Sequence, residues 1–289
     1  MPALAAYGLL PSRGAARLWG GSDRGLAVLV AERTNMAEDD QRDESGIGVT
    51  TIAFPPPGPE VVYAAVPMTA GYPAVREDDT GIAAAKRRLA RRLWQALWPD
   101  AKFAISAPPE EMELAMQTTD LGRPELPGGP AITFSRNGTR LWAACCQPGY
   151  ELGMDVAAPR EFRAGFPMAR AFREEELSRE MNDGNVDFAE AAARLWAVKE
   201  AAVKCLGVGF HYFGQYEVEV FCRHREVGNA AEYRVVLHGR GEAIAAGKEL
   251  RVQLRPEGRI VLAFAVAKKP GDSGRADHPE AAFVPERSL

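Results

Sequence analysis

Between two poorly patterned ends, short runs of alternating or continuous apolar residues, broken by turn chemistry, are interspersed with stretches of helical spacing. GLAVLVA (25–31) reads as a strand, followed by AEDDQRDESG (37–46), a charged run of loop character. VTTIAF (49–54) and VVYAAV (61–66) read as strands separated by the turn segment PPPGP. Over 81–98 the apolar Ala85, Leu89, Leu93 and Leu97 recur at helical spacing, while Lys86, Arg87, Arg88, Arg91 and Arg92 make the same helix strongly basic. AITFS (131–135) and TRLWAACC (139–146) form a hairpin pattern around Asn137-Gly138, a strong turn signal.

ELGMDVA (151–157) predicts a short strand with an aspartate near its end. Helical patterns follow around 168–181 and 187–205, then four strand patterns: YEVEVFCR, EYRVVLH, ELRVQL and RIVLAFAVA. Strands with a helix thus occur in each half in broadly similar order. The expectation is an α+β protein of two similar α/β halves in pseudo-twofold arrangement. The expected division is a poorly structured 1–20, an N-terminal half at 21–150, a C-terminal half at 151–268 and a flexible tail at 269–289.

Composition narrows the function classes. The 289 residues are 46% hydrophobic and 26% charged, ordinary for a globular chain, and the formal net charge of −4 argues against a general nucleic-acid binder. Cys145, Cys146, Cys205 and Cys222 form no CxxC pair and no Cys/His cluster, so they read as core residues in a reducing compartment instead of a zinc site. No apolar run approaches the roughly 20 residues a membrane helix needs. The apolar ALAAYGLL near the N-terminus has no basic residue before it and fits a signal peptide poorly, so a cytoplasmic location is expected. GDSG (271–274) echoes a protease serine but lies in the polar tail without the matching context.

The stretch LWAVKEAAVK (195–204) changes the picture most. Glu200 and Lys204 are one helical turn apart on one face, with Lys199 beside them, in an otherwise apolar helix. An exposed Glu–Lys pair at this spacing is the bland alternative, worth only about 0.2–0.5 kcal/mol. Asp155, at the end of the GMDV strand, offers a second carboxylate. Carboxylates from a strand end and a helix suit a hard cation such as Mg²⁺, which is held by one or two carboxylates plus substrate phosphates.

Gly153-Met154-Asp155, followed by Trp196-Ala197-Val198-Lys199-Glu200-Ala201-Ala202-Val203-Lys204, resembles the G-[IV]-D and W-x-x-K-E-x-x-x-K signature of the 4′-phosphopantetheinyl transferases, Sfp-type branch. AFREEEL (171–177), GVGF after the helix and GRP (122–124) resemble further family features in the same order, and the resemblance spans about 120 to 268. It implies transfer of the phosphopantetheine arm of coenzyme A to a serine of an acyl or peptidyl carrier protein. It further implies that Asp155 and Glu200 hold Mg²⁺ and that Glu200 takes the serine proton. Lys204 would assist the departing phosphate and Lys199 would lie along the pyrophosphate. Ser135 matches a coenzyme-contacting hairpin position, while Arg136 stands where the family has histidine; it is read as a phosphate ligand or as a turn residue. The basic helix is the implied partner of the coenzyme 3′-phosphate, with Arg88 taken for that role though no motif fixes which residue serves. The same basic patch could instead meet the acidic helix of a carrier protein.

Besides Arg136, and Asn137 in place of the following hydroxyl residue, one more position departs from the pattern: Ala157 stands where the family often has a second metal-binding acid. The rival readings are a non-catalytic relative that binds carrier protein or coenzyme A, and a structural subunit whose Glu–Lys helix is only a surface. A monomer is the expected state.

Overall fold

The computed structural model describes residues 47–68, 80–97, 116–226 and 230–269, except Pro57, Gly128, Thr139, Ala164, His211, Phe213 and Ala246 and a run at 227–229. The expected strand at 25–31, the loop at 37–46, the ill-structured 1–20, the GDSG motif and the tail from 270 lie outside the described residues. Among the described residues no helix is long and apolar enough to cross a membrane.

Two antiparallel sheets carry the fold. The first has the order β1 (Thr50–Ala53), β2 (Glu60–Pro67), β6 (Arg140–Cys146), β5 (Ala131–Asn137). The second has the order β7 (Tyr150–Ala157), β11 (Ile260–Lys268), β10 (Arg251–Glu257), β9 (Ala231–Leu237), β8 (Val218–Arg225). A two-residue pair, β3 (Gln117–Thr118) and β4 (Pro124–Glu125), precedes the hairpin. The long helices are α1 (Thr80–Leu97) and α4 (Phe188–Cys205); between them lie the short α2 (Met168–Ala171) and α3 (Glu174–Gly184), and α5 (Arg240–Ala245) follows.

Three apolar clusters explain the layering. Leu89 and Leu93 of α1 pack with Val62, Ile132, Leu141 and Ala143 on one face of the first sheet. Its other face brings Val61, Tyr63, Trp142 and Ala144 against Leu152, Met154, Val156, Leu262 and Phe264 of the second sheet. The outer face of the second sheet receives α4, whose Ala191, Ala192, Leu195, Val198, Ala201, Ala202 and Val203 are buried. Because side chains alternate along a strand, β7 sends Leu152, Met154 and Val156 between the sheets and Glu151, Gly153, Asp155 and Ala157 toward α4.

The predicted mixed α+β architecture, the hairpin, β7 and the four closing strands are all present. The helical pattern at 168–181 is interrupted: Phe172 and Arg173 adopt extended backbone between α2 and α3. Side chains explain the break. The Phe172 ring joins Phe162, Phe166 and Trp196, while Arg173 donates to Tyr216 O at 2.9 Å and pairs with Glu219 at 3.2 Å.

Both ends of α4 are defined chemically. Asp187 accepts from the Glu190 amide at 2.8 Å as N-cap. At the other end Gly207 has φ +76°, Val208 N–H donates to Val203 O at 3.1 Å and Gly207 N–H to Lys204 O at 3.0 Å. This is a Schellman closure, and it accounts for the glycine in GVGF.

Candidate active site at the seam of the two sheets

Edge strand β5 of the first sheet runs beside edge strand β7 of the second. Thr133, Ser135 and Asn137 point across this seam: Thr133 Oγ1 accepts from Met154 N–H at 3.4 Å, Ser135 donates to Asp155 Oδ1 at 2.8 Å, and Asn137 Nδ2 donates to Glu161 Oε1 at 2.7 Å. The period of two in ITFSRN was the signal for this polar row.

Gly153 decides how α4 meets the seam. A Cβ there would lie 2.0 Å from Ala201 O and 2.3 Å from Cys205 N, so only glycine lets the helix backbone come this close. Two residues further along the same face, Asp155 then meets the α4 face that carries Glu200 and Lys204. Lys204 Nζ lies 2.6 Å from Asp155 Oδ1. Asp155 is buried and Lys204 half-buried, and Oδ1 receives both the serine hydroxyl and the ammonium.

Glu200 is half-buried and makes no hydrogen bond or ion pair with a described residue. Burial pushes its carboxyl up to about 7; the Lys204 charge pulls it down and Asp155 adds to the rise. Two facing carboxylates, one of them unbonded and desolvated, fit a divalent cation, which would favour the ionised form of Glu200. Asp155 Oδ2, also without a described partner, faces the same need. Magnesium accepts such a sparse donor set when phosphate and water complete its shell. Ala157 takes the next α4-facing position and is fully buried, so it supplies no third carboxylate. Among the described residues no group of three or more His, Cys, Asp or Glu side chains gathers to bind a metal.

The structure brings together Asp155, Ser135, Glu200 and Lys204, and separates three other expected residues from them. Lys199 is fully buried: its ammonium pairs with Glu176 Oε2 at 2.7 Å and donates to Ala171 O at 3.1 Å and Gln215 O at 3.2 Å. Neighbours on a helix project about 100° apart, so Lys199 leaves α4 on a different side from Glu200. Arg136 is exposed and alternates with Ser135, which places it on the sheet face that carries α1. Arg88 is exposed on α1, which packs on that same face, away from the one Ser135 uses. The Ser135 hydroxyl proton is directed to Asp155.

Around this cluster the remaining expectations divide. Trp196 is a core anchor, with the rings of Phe162, Phe166, Phe172 and Phe210 within 6.3 Å of it. Cys145, Cys146 and Cys205 are buried free thiols whose ionisation burial pushes up. Arg123 of GRP packs over Gly207, 3.1 Å from its Cβ direction, and lies 3.9 Å from Glu151, at the C-terminal end of α4. No spacing in the sequence ties Arg123 to that end.

With this geometry in view the comparisons with known proteins can be placed. Residues 151–261 match the family model described as 4′-phosphopantetheinyl transferase superfamily. That segment holds β7, α4 and all of Asp155, Lys199, Glu200 and Lys204. Solved structures with similarity to part of the chain include the holo-ACP-synthase from Plasmodium yoelii, at 18% identity, 41% of this chain, 96% of that one and a TM-score of 0.32. The Helicobacter pylori holo-[acyl-carrier-protein] synthase in complex with coenzyme A matches at 16% identity, 40% and 99% coverage, and a TM-score of 0.32. The Neisseria meningitidis holo-[acyl-carrier-protein] synthase matches at 21% identity, 41% and 98% coverage, and a TM-score of 0.32. No curated protein matches the chain.

Proposed function

We propose that the protein is a Mg²⁺-dependent 4′-phosphopantetheinyl transferase of Sfp-type organisation, with 21–150 and 151–268 as pseudo-twofold halves and coenzyme A at their cleft. The observation that carries this reading is the convergence of Asp155, Lys204 and Glu200 from β7 and α4 at the seam.

Asp155 and Glu200 would hold the cation, and a bound Mg²⁺ would supply neutralisation of charge on the coenzyme A pyrophosphate. Glu200 accepts the proton of the carrier serine, directly or through a water, as the serine oxygen forms its bond to phosphorus. The phosphoanhydride bond breaks toward adenosine 3′,5′-bisphosphate, and Lys204 stabilises or protonates the departing phosphate. Ser135 holds Asp155 in place. Arg136 and Arg88 stand on the α1 side, where a 3′-phosphate or an acidic carrier helix would meet them.

The test is intact-mass analysis of several apo-carrier proteins after incubation with the protein, coenzyme A and Mg²⁺. A phosphopantetheine mass gain that EDTA and Glu200→Ala both abolish supports the transferase and names its carrier. Coenzyme A binding with no gain on any carrier supports a binding relative instead, with Ala157 as the first residue to restore to an acid.

A further inference from the structure

Lys199, like Arg194, is a fully buried charged residue of α4 that the proposed chemistry does not use, and its burial needs a reason. An ammonium removed from water is destabilising unless its donors and its charge are met, and here three acceptors surround it: Ala171 O and Gln215 O accept hydrogen bonds, and the Glu176 carboxylate supplies the counter-charge at 2.7 Å. These acceptors belong to α3, the end of α2 and the 3₁₀ turn Gln215–Glu217. Glu176 extends the connection to β8, because its Oε1 accepts from Val220 N–H at 2.9 Å. The Phe172 ring lies 5.5 Å from the same ammonium. One side chain therefore fastens α4 to three segments directly and, through Glu176, to β8.

The helix is held from the other side as well. Ala201 and Cys205 rest on Gly153, and Ala201 projects about 200° from Lys199 around the helix axis, nearly opposite. Glu200 lies between these two anchors. A rotation of α4 by about 20° would carry a carboxylate about 6 Å from the axis by about 2 Å, enough to break its register with Asp155. Packing alone would not call for an ammonium here, since an apolar side chain of similar volume fills such a site at least as well. What three directed acceptors add is an angle.

We infer that Lys199 is a positioning residue: its links to Glu176, Ala171 and Gln215 fix the rotational phase of α4, so that Glu200 and Lys204 face Asp155. The catalytic part of this inference rests on the transferase reading; the structural part does not. Lys199→Met retains most of the volume and removes all three donors.

The experiment has two arms on the full chain. In the first, without ligand, thermal unfolding compares Asp155→Ala in the wild-type and Lys199→Met backgrounds. If Lys199 sets the phase, Asp155→Ala lowers Tm in the wild type and by less than half as much, roughly, beside Lys199→Met, because the Asp155 contacts are already weakened. Equal shifts in the two backgrounds overturn the inference. The second arm measures carrier modification, where Lys199→Met lowers kcat about tenfold or more with KM for coenzyme A changed less than about twofold. An unchanged kcat with a higher KM overturns it by placing Lys199 on the coenzyme. A wild-type chain that modifies no carrier sinks the transferase reading alone, and the Tm arm still decides the role of Lys199. Should Lys199→Met fail to fold, Glu176→Gln, which keeps an acceptor for Val220 N–H, is read in both arms with the same expected directions and the same overturning results.

Discussion

Lys204 and Asp155, 49 residues apart in the chain, meet at 2.6 Å, and Ser135 donates to the same carboxylate oxygen at 2.8 Å. The helix supplies the cation, the second sheet the anion and the first sheet the hydroxyl. An ion pair at the seam of two sheets, beside a second carboxylate with no described partner, differs from the i,i+4 surface pair that is the bland alternative for Glu200 and Lys204. Lys204 is also in the last turn of α4, where the helix dipole favours a positive charge.

The first prediction concerns that ammonium. Lys204→Ala removes the charge that would meet a departing phosphate and leaves Asp155 with one donor. Carrier modification should fall about 10²- to 10³-fold in kcat, with a smaller effect on KM for coenzyme A. Steady-state kinetics with an intact-mass readout checks this, and a kcat within a factor of about three of wild type would remove Lys204 from the chemistry.

Gly153 gives a prediction about the fold. Gly153→Ala would place a Cβ 2.0 Å from Ala201 O and 2.3 Å from Cys205 N, both of them backbone atoms that cannot swing aside. The expected loss is about 3 kcal/mol or more, at the severe end for overpacking. Urea unfolding measures it. A loss below about 1 kcal/mol would mean that α4 can retreat from β7 cheaply, against the tight packing of Ala201 and Cys205.

Ser135 and Arg136 should separate cleanly although they are neighbours. Ser135→Ala removes a buried hydrogen bond to a carboxylate and should destabilise by about 1–2 kcal/mol. Arg136→Ala removes an exposed side chain and should change stability by less than about 0.5 kcal/mol. If Arg136 contacts a coenzyme phosphate, its effect shows in KM alone. Denaturation and kinetics on the two variants distinguish a seam residue from a ligand residue.

Much of this was legible in the sequence because its signals are local. Periods of two and 3.6 marked β7, the hairpin and α4, and the spacing from Gly153 to Lys204 marked the residues that converge. What was not legible is direction. The side chain of Lys199 is adjacent to Glu200 in sequence, yet its acceptors come from residues 171, 176 and 215, which no spacing rule links to it. Arg136 differs from Ser135 for a related reason: the family position sets the two side by side, while strand alternation turns them to opposite faces of the sheet. The break at Phe172–Arg173 was hidden because helix propensity is local and the aromatic cluster that overrides it is not.

Glu200 links stability to pH with a definite sign. Its carboxyl is pushed up by burial from 4.5 to about 7, so between those values the folded chain holds a proton that the unfolded chain has released. Stability therefore falls as pH rises through this window, and above about 7 the folded state carries the whole penalty of an ionised, desolvated carboxylate. Glu200→Gln, which has no proton to lose, should be more stable than wild type by about 1–2 kcal/mol near pH 8 in EDTA, after allowance for the partial exposure of the side chain. The difference should vanish below the ordinary carboxyl range, where both states of the wild type are protonated. Urea unfolding of the two proteins across this pH range checks the sign. An equal difference at every pH would mean that Glu200 ionises normally and is not the poised base. Adding Mg²⁺ should shrink the advantage of the glutamine near pH 8, since a cation held by Asp155 and Glu200 favours the ionised wild type.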